Sequence, residues 1–149
     1  KIIKALVRIK MGYQKQLVLG NLDSKRDWGH ARDYVEAMWK ILQQKKPNDY
    51  VIATGKQHSI RQFINFVAKK LNMKIIWKGT GLNEVGYDVL NKKKIILVDK
   101  NYIRPLDVNT LLGNAAKARR ELKWKPQINI HTLIDEMITE EMNILSNDQ

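Results

Sequence analysis

Short apolar runs alternate with longer amphipathic segments along the chain, and this alternation restricts the fold more than any other feature. Each run has the length of a β-strand, and we predict strands at residues 17–19, 50–53, 74–77 and 95–98. The other segments repeat apolar residues at helical spacing and predict helices at residues 2–11, 30–44, 60–71, 115–122 and 130–145. Short strands that alternate with helices are typical of a small α/β fold.

Local signals support several of these helix boundaries. Ser59 precedes the third predicted helix, and Gln62 follows three residues later, which is the spacing of a capping box. Asn114 and Asn129 are placed as N-caps of the last two helices. The second predicted helix is expected to bury one apolar stripe, formed by Ala31, Tyr34, Val35, Met38, Ile41 and Leu42.

The length and composition restrict the class of protein. A chain of 149 residues is long enough for one ordinary domain with its own core. It contains no cysteine, so disulfides, thiolate metal ligands and cysteine nucleophiles are excluded. No apolar run approaches the roughly 20 residues of a membrane span, so no membrane partner is predicted, and the composition is compatible with a cytoplasmic location. The first residue is Lys1 rather than Met, and we expect a piece of a longer protein whose last residues, 146–149, are frayed.

The charge is strongly positive but widely distributed. Lys and Arg number 27 against 15 Asp and Glu, which gives a net charge of +12. The positive residues fall into clusters at 1–15, 56–78 and 92–94, whereas residues 127–149 contain five acids and no Lys or Arg. The aromatic interleaving of single-strand binders is missing. We therefore predict a lysine-rich surface, with part of the charge serving an anionic ligand, and no nucleic-acid partner.

Groups that commonly carry catalysis are absent from the sequence. No tyrosine is followed four residues later by lysine, and no carboxylate pair has a spacing that suggests acid–base work. The three histidines are far apart and are interpreted as surface or capping residues rather than metal ligands. Gly79, Gly81 and Gly86 lack the spacing of a dinucleotide-binding turn, and the first two are predicted to be turn glycines. We predict neither a catalytic group nor a metal ligand in this chain.

Two basic positions are candidates for binding an anion. Arg26 precedes a helix start, where a guanidinium and backbone N–H groups can meet a phosphate. The alternative is an ion pair with a nearby aspartate. At the second position Pro105 fixes the backbone after Arg104, and Asp107 follows three residues after the arginine, which offers a cation for phosphate and a carboxylate for a sugar diol. An ordinary surface turn is the alternative there.

One stretch carries a family resemblance. Residues 20–39 read GNLDSKRDWGHARDYVEAMW, and they resemble the corresponding part of the GDP-mannose 4,6-dehydratases, nucleotide-sugar enzymes of the extended short-chain dehydrogenase/reductase group. Further segments resemble the same family in the same order, at residues 49–55, 58–63, 98–105, 111–119 and 122–126. The similarity extends from Lys1 to about Met142, nearly the whole chain.

The resemblance implies a two-domain enzyme of which this chain is the smaller part. An N-terminal Rossmann domain, missing from this chain, binds NADP and carries the Thr/Ser, Glu, Tyr and Lys catalytic group. Residues 1–145 correspond to the C-terminal portion that binds the GDP of GDP-mannose, so the Rossmann core is largely absent. By positional match Lys1 and Arg26 contact the GDP moiety, Arg104 contacts the diphosphate and Asp107 contacts the ribose hydroxyls. The family usually has Glu at the position of Asp107.

The reaction that the resemblance implies is an internal oxidation and reduction in a homo-oligomeric enzyme. Hydride leaves C4 of the mannose to NADP, water is eliminated across C5 and C6, and the hydride returns to C6 to give GDP-4-keto-6-deoxymannose. The chain itself would supply binding and be inactive alone. Two other interpretations stay open: another nucleotide-sugar dehydratase or epimerase of the same group, or a stand-alone basic module that binds nucleic acid or protein.

Overall fold

The structure is a computed structural model that describes residues 1–104 and 106–147, and these residues form a mixed α/β fold. In chain order the helices and strands are α1 (Ile2–Lys10), β1 (Leu17–Leu19), β2 (Lys25–Arg26), α2 (Ala31–Leu42), β3 (His58–Ser59), α3 (Ile60–Lys70), β4 (Ile75–Lys78), β5 (Val85–Asp88), β6 (Lys93–Val98), α4 (Ala116–Glu121) and α5 (Ile130–Asn147). They belong to two compact units. Unit 1 contains Lys1–Ser24, Ser59–Asn109 and the described residues from Ile134 on, and unit 2 contains Lys25–His58 and Thr110–Leu133.

A four-stranded mixed sheet organises unit 1, in the order β1-β6-β5-β4. β1 runs parallel to β6, with Leu17 opposite Ile96 and Leu19 opposite Val98. β5 pairs antiparallel with both β4 and β6. The parallel pair therefore places the carboxyl ends of β1 and β6 side by side at one edge of the sheet.

The core of unit 1 is made by helices packed with this sheet. Its members are almost fully buried apolar side chains: Ile3, Leu6, Val7, Leu17, Phe63, Ile64, Val67, Ile95, Ile96, Ile134 and Ile138. The capping box predicted for α3 is confirmed, because the Ser59 hydroxyl accepts from the Gln62 N–H at 3.1 Å and the Gln62 side chain accepts from the Ser59 N–H at 2.9 Å. Asn129 caps α5 as predicted, and it accepts from the N–H groups of His131 and Thr132.

Unit 2 has a separate small core around one tryptophan. Trp124 is 1% exposed and lies in a cluster with Ala37, Ala53, Ala115, Ala118 and Leu122. Its indole Nε1 donates a hydrogen bond to the Asp33 carbonyl at 2.8 Å. The Asp33 carboxylate, also buried, accepts from the N–H groups of Gln127 and Ile128 at 3.1 and 3.0 Å. These bonds fix the face that α2 turns toward the cluster.

The buried stripe predicted for α2 is only partly correct: Tyr34 and Ile41 are half-buried and pack against the Trp124 cluster, but the other large apolar members are exposed. Val35, Met38 and Leu42 are 61%, 61% and 80% exposed, whereas the buried residues of the helix are Asp33 and Ala37. The apolar spacing indicated a helix correctly but not its orientation. The hydrogen bonds of Asp33 determine that orientation, and they involve residues more than 90 positions further along the chain.

Two other elements differ from the sequence-based expectation. Residues 50–53 form no strand in the described part of the chain, although Ala53 is buried, because an apolar segment becomes a strand only when a neighbour supplies ladder hydrogen bonds. β5 lies where the sequence predicted no strand, and it forms because β4 and β6 pair with it on both sides. α5 continues to Asn147 and so includes the first two residues of the expected frayed tail, while Asp148 and Gln149 lie outside the described residues.

No helix in the part of the chain that the structure describes is both long and apolar enough to cross a membrane.

Candidate functional site

The candidate site of unit 1 begins where two parallel strands end. The N–H of Asp99, directly after β6, donates to the carbonyl of Leu19, the last residue of β1, at 2.9 Å. The loops that follow these strands, residues 20–24 and 99–107, therefore leave the sheet from the same edge. Ligands of open α/β sheets bind preferentially outside the carboxyl ends of the strands. This edge is accordingly the first place to look for a binding site.

A close approach of backbone to backbone brings the two loops together. A Cβ atom added to Gly20 would overlap the carbonyl oxygen of Tyr102. Only glycine allows this contact, because every other residue carries a Cβ. Gly20 thus holds the second loop directly above the end of β1.

The first loop is anchored to the start of α3. The Arg61 N–H donates to the Leu22 carbonyl at 2.9 Å, and the Ile60 N–H donates to the Ser24 carbonyl at 3.1 Å. The first N–H groups of a helix have no partner inside the helix, so the loop satisfies two donors that would otherwise need water. The same bonds restrict the position of the loop.

A charged network reinforces this anchor. The Arg61 guanidinium binds the Asp23 carboxylate at 2.9 Å and forms a paired contact with Glu84, and it stacks over the Trp77 ring at 4.8 Å. The hydrogen bond with Glu84, and more weakly the one with Asp23, raises the pKa of Arg61 above its ordinary value. Arg61 therefore stays charged and fastens the loop, which the sequence did not signal because its partners lie 38 and 23 residues away.

The second loop carries two of the predicted site residues in one turn. The Asp107 N–H donates to the Arg104 carbonyl at 3.1 Å. The side chain of Arg104 is exposed, whereas Asp107 is partly buried and its Oδ2 accepts from the Ser24 hydroxyl at 2.6 Å. Pro105, which was expected to shape this turn, lies outside the described residues. A cation and an anchored carboxylate are therefore presented from a single turn.

Lys1 reaches the same loop from the start of α1. Its ammonium group lies 4.2 Å from the centroid of the Tyr102 ring, two residues before Arg104. A cavity of about 360 Å³ opens beside this contact, and its polar lining is strongly basic: Lys1, Lys4, Arg8, Gln14, Gln16 and Tyr102. Three of the four predicted site residues, Lys1, Arg104 and Asp107, thus belong to unit 1 and to the surroundings of one loop.

Arg26 lies in unit 2, on β2, and its guanidinium donates to the Lys25 carbonyl at 2.8 Å. The neighbouring aspartates have other partners: Asp23 binds Arg61, and Asp27 accepts from the N–H groups of Thr54 and Gly55. The contact of Arg26 with the same GDP molecule as Arg104 stays a prediction, because the two residues belong to different units.

The histidines of unit 2 lie at a helix cap and beside a cavity. His30 caps α2, since its Nδ1 accepts from the Arg32 N–H at 3.0 Å, in agreement with the predicted capping role. Burial, with the positive charges of His131 and Lys56, lowers the pKa of His58 below its ordinary value. These last three residues line a cavity of about 380 Å³ together with Trp28 and Thr54. Within the described residues no group of three or more potential ligands could hold a metal ion.

Comparison with known proteins decides the family. A family model described as GDP-mannose 4,6 dehydratase matches residues 1–137. The chain belongs to the GDP-mannose 4,6-dehydratase family. Among its relatives, GDP-mannose 4,6 dehydratase 2 of Caenorhabditis elegans is 44% identical over 99% of this chain, and GDP-mannose 4,6 dehydratase of Homo sapiens is 42% identical over 97% of it. The chain spans only 38–39% of the length of these two relatives, in their C-terminal portion.

Solved structures agree with this assignment at the level of the fold. RMD from Pseudomonas aeruginosa, determined with NADPH, matches with a TM-score of 0.74 at 19% identity, and the match covers 96% of this chain and 41% of that one. dTDP-glucose 4,6-dehydratase from Bacillus anthracis, determined with NAD, matches with a TM-score of 0.69 at 17% identity, over 96% of this chain and 39% of that one. The fold is therefore that of a C-terminal portion of an extended short-chain dehydrogenase/reductase, as the sequence predicted.

The glycines at 79 and 81 of this member of the GDP-mannose 4,6-dehydratase family do not form a dinucleotide-binding turn. Gly79 and Gly81 have φ of +78° and +58° and belong to the connection between β4 and β5, which confirms them as turn glycines. In the portion that the structure describes, no glycine-rich turn joins a strand to an α-helix, the arrangement that holds a pyrophosphate in a Rossmann domain. No chemical step is therefore assigned to NADP on this chain.

Proposed function

We propose that this chain is the GDP-sugar-binding portion of a GDP-mannose 4,6-dehydratase. The observation that carries the proposal is the turn in the loop after β6, which presents Arg104 and Asp107 together. The Lys1 ammonium lies over the ring of Tyr102, two residues before the arginine. An arginine binds a phosphate through paired, charge-assisted hydrogen bonds, and a carboxylate accepts hydrogen bonds from a ribose diol. This is the chemistry that a nucleoside diphosphate requires. Arg26 is proposed as a further contact with the diphosphate.

The proposed role of the chain in the reaction is positioning. Binding energy from the nucleotide, which is remote from the reacting sugar carbons, can raise the chemical rate when it fixes the orientation of the sugar. The whole enzyme is proposed to convert GDP-mannose to GDP-4-keto-6-deoxymannose, with NADP bound outside this chain. Its cytoplasmic location remains a prediction from the composition, and its homo-oligomeric state remains a prediction from the family resemblance.

Titration calorimetry with GDP tests the proposed site. A charge-assisted hydrogen bond contributes about 1.5–3 kcal/mol, so Arg104→Ala or Arg26→Ala should weaken GDP binding by roughly one to two orders of magnitude. Asp107→Asn should cost less. Lys45→Ala, which removes an exposed lysine in unit 2, is the matched control and should bind GDP like the parent. Equal GDP affinity of the parent and both arginine variants would overturn the assignment of these residues.

Titration with DNA or RNA in place of GDP tests the main alternative, a stand-alone basic module. Non-specific binding to nucleic acid weakens steeply with salt because it depends on counterion release. We expect any binding of DNA or RNA to be independent of sequence and to be lost at about 150 mM salt. Tight, sequence-selective binding under that condition would favour the alternative instead.

A further inference from the structure

We propose that Ser24 is a positioning residue that fixes the Asp107 carboxylate for recognition of a ribose 2′,3′-diol. The inference rests on the proposed function, since it concerns the nucleotide ribose of the same site. It goes beyond that function because Ser24 belongs to the loop after β1, and no ligand contact has been assigned to it. Its hydroxyl determines where the carboxylate is held.

The central contact is short and protected from water. The Ser24 hydroxyl donates to Asp107 Oδ2 at 2.6 Å, and Ser24 is only 2% exposed. A hydrogen bond from a hydroxyl to a charged carboxylate is stronger than a bond between neutral groups, and burial strengthens it further. The bond therefore restricts the rotation of the Asp107 side chain.

The loop that carries the Ser24 hydroxyl is fixed by several bonds to α3. The Ser24 carbonyl accepts from the Ile60 N–H, and the Leu22 carbonyl accepts from the Arg61 N–H, so the loop sits on the first turn of α3. The Arg61 guanidinium also holds Asp23, the residue directly before Ser24. α3 packs in the core of unit 1, so the loop bound to its first turn, and with it the Ser24 hydroxyl, has a restricted position.

The acceptor belongs to the same turn as the proposed phosphate ligand. The Asp107 N–H donates to the Arg104 carbonyl, so a carboxylate fixed by Ser24 also restricts the turn that carries the arginine. A carboxylate has about four acceptor positions, and accepting one bond from Ser24 is compatible with accepting hydrogen bonds from a diol. A residue that orients a ligand-binding group in this way reduces the conformational entropy lost on binding.

The proposal explains how Asp107 can bind a ribose diol although its side chain is short. Asp has one methylene fewer than Glu, and its carboxylate reaches less far from the backbone. The hydrogen bond from the buried Ser24 hydroxyl to Oδ2 favours one orientation of this shorter side chain. The hydroxyl and the aspartate are thus expected to act as one unit.

The test compares two nucleotides on the same protein. Titration calorimetry gives the affinity ratio of GDP to 2′,3′-dideoxy-GDP, which reports diol recognition and is insensitive to a general loss of stability. We expect Ser24→Ala to reduce this ratio about threefold to tenfold, which is less than the loss of a direct charge-assisted contact with the ligand, because Ser24 acts only through Asp107. Ser24→Thr, which keeps the hydroxyl, should retain the ratio. Ser146→Ala removes a serine hydroxyl that binds the Met142 carbonyl in α5, and it should change nothing.

A double-variant cycle completes the test. If Ser24 acts only through Asp107, adding Ser24→Ala to Asp107→Asn should reduce the ratio no further. Should Ser24→Ala fail to fold, Ser24→Cys replaces it, because a thiol has similar volume but is a weak donor, and the same loss is expected.

The outcomes separate this proposal from the proposed function. If the parent prefers GDP, Asp107→Asn loses that preference and Ser24→Ala keeps it, the role of Ser24 is overturned while the proposed function stands. If the parent does not bind GDP, both proposals are overturned. If the parent binds GDP without preferring the diol, the role of Ser24 is overturned while the proposed function stands. A reduced ratio in Ser24→Ala, with the ratio kept in Ser24→Thr, supports the positioning role.

Discussion

The indole of Trp124 donates its hydrogen bond to the backbone carbonyl of Asp33, at 2.8 Å and across 91 residues of sequence. The same aspartate accepts from the N–H groups of Gln127 and Ile128 through its carboxylate. One residue of α2 thus satisfies three donors of the segment that follows α4. The buried Trp124 indole and the two N–H groups depend on this residue for their acceptor, and a buried donor without a partner is costly.

Replacing Asp33 by alanine should destabilise the protein strongly. The substitution leaves the partly buried backbone N–H groups of Gln127 and Ile128 without their acceptor, which should lower the unfolding free energy by about 1–3 kcal/mol. Glu36→Ala on the same helix is the matched control. Glu36 is exposed and pairs with Lys40 at 3.0 Å on the surface of the helix, so its loss should cost no more than about 0.5 kcal/mol. Urea unfolding of the three proteins measures both values, and equal stability of the two variants would contradict the anchoring role of Asp33.

The observed orientation of α2 predicts opposite responses at two adjacent positions. Ala37 is fully buried, and Ala37→Leu should cost about 1–3 kcal/mol because the added side chain overpacks the cluster. Met38 is 61% exposed, and Met38→Ala should change the stability by no more than about 0.5 kcal/mol. Thermal or urea unfolding distinguishes the two cases. A larger cost for Met38→Ala than for Ala37→Leu would restore the stripe that the sequence suggested.

The difference between the predicted and the observed α2 shows which features a sequence can specify. β1 and the caps of α3 and α5 were predicted because their signals, such as Ser59 with Gln62, lie within a few residues. The orientation of α2 was not, because the partners of Asp33 lie more than 90 residues further along the chain. β5 was missed for the same reason, since its strand character depends on its two neighbours in the sheet.

The candidate site follows the same rule. The turn that joins Arg104 to Asp107 is local and was recognised in the sequence, where the pattern of a cation three residues before a carboxylate suggested phosphate and diol binding. Ser24 carried no such signal, because its partner Asp107 lies 83 residues away. Sequence reasoning identified the groups proposed to touch the nucleotide. Ser24, which is proposed to position Asp107, could be identified only from the structure.

The stability of the protein should fall in mild acid through His58. An unfolded histidine has a pKa of about 6.5, and in the folded protein burial, aided by His131 and Lys56 and opposed by Asp27, lowers the pKa of His58. The unfolded state therefore binds a proton first as the pH falls. The stabilisation is complete above about pH 6.5 and is lost as the pH falls through the lowered pKa.

Urea unfolding at about pH 7.5 and pH 5.5 checks the sign of this effect. The parent should lose more unfolding free energy between the two conditions than His58→Gln, which has no group that titrates there. The remaining histidines are present in both proteins, so the difference between the two losses reports His58 together with its coupling to His131. An equal loss in the two proteins would show that His58 titrates alike in the folded and unfolded states.

The chain by itself should not convert GDP-mannose. Its sequence contains no tyrosine followed four residues later by lysine, and its glycines at 79 and 81 belong to a turn between strands rather than to a dinucleotide site. Incubation with GDP-mannose and NADP, followed by chromatography for the keto-deoxy sugar, should therefore give no product above a buffer control. A full-length family member in the same assay shows that the product can be detected. Product formed by the 149-residue chain would mean that groups within it perform the chemistry, and its proposed role as a binding portion alone would be wrong.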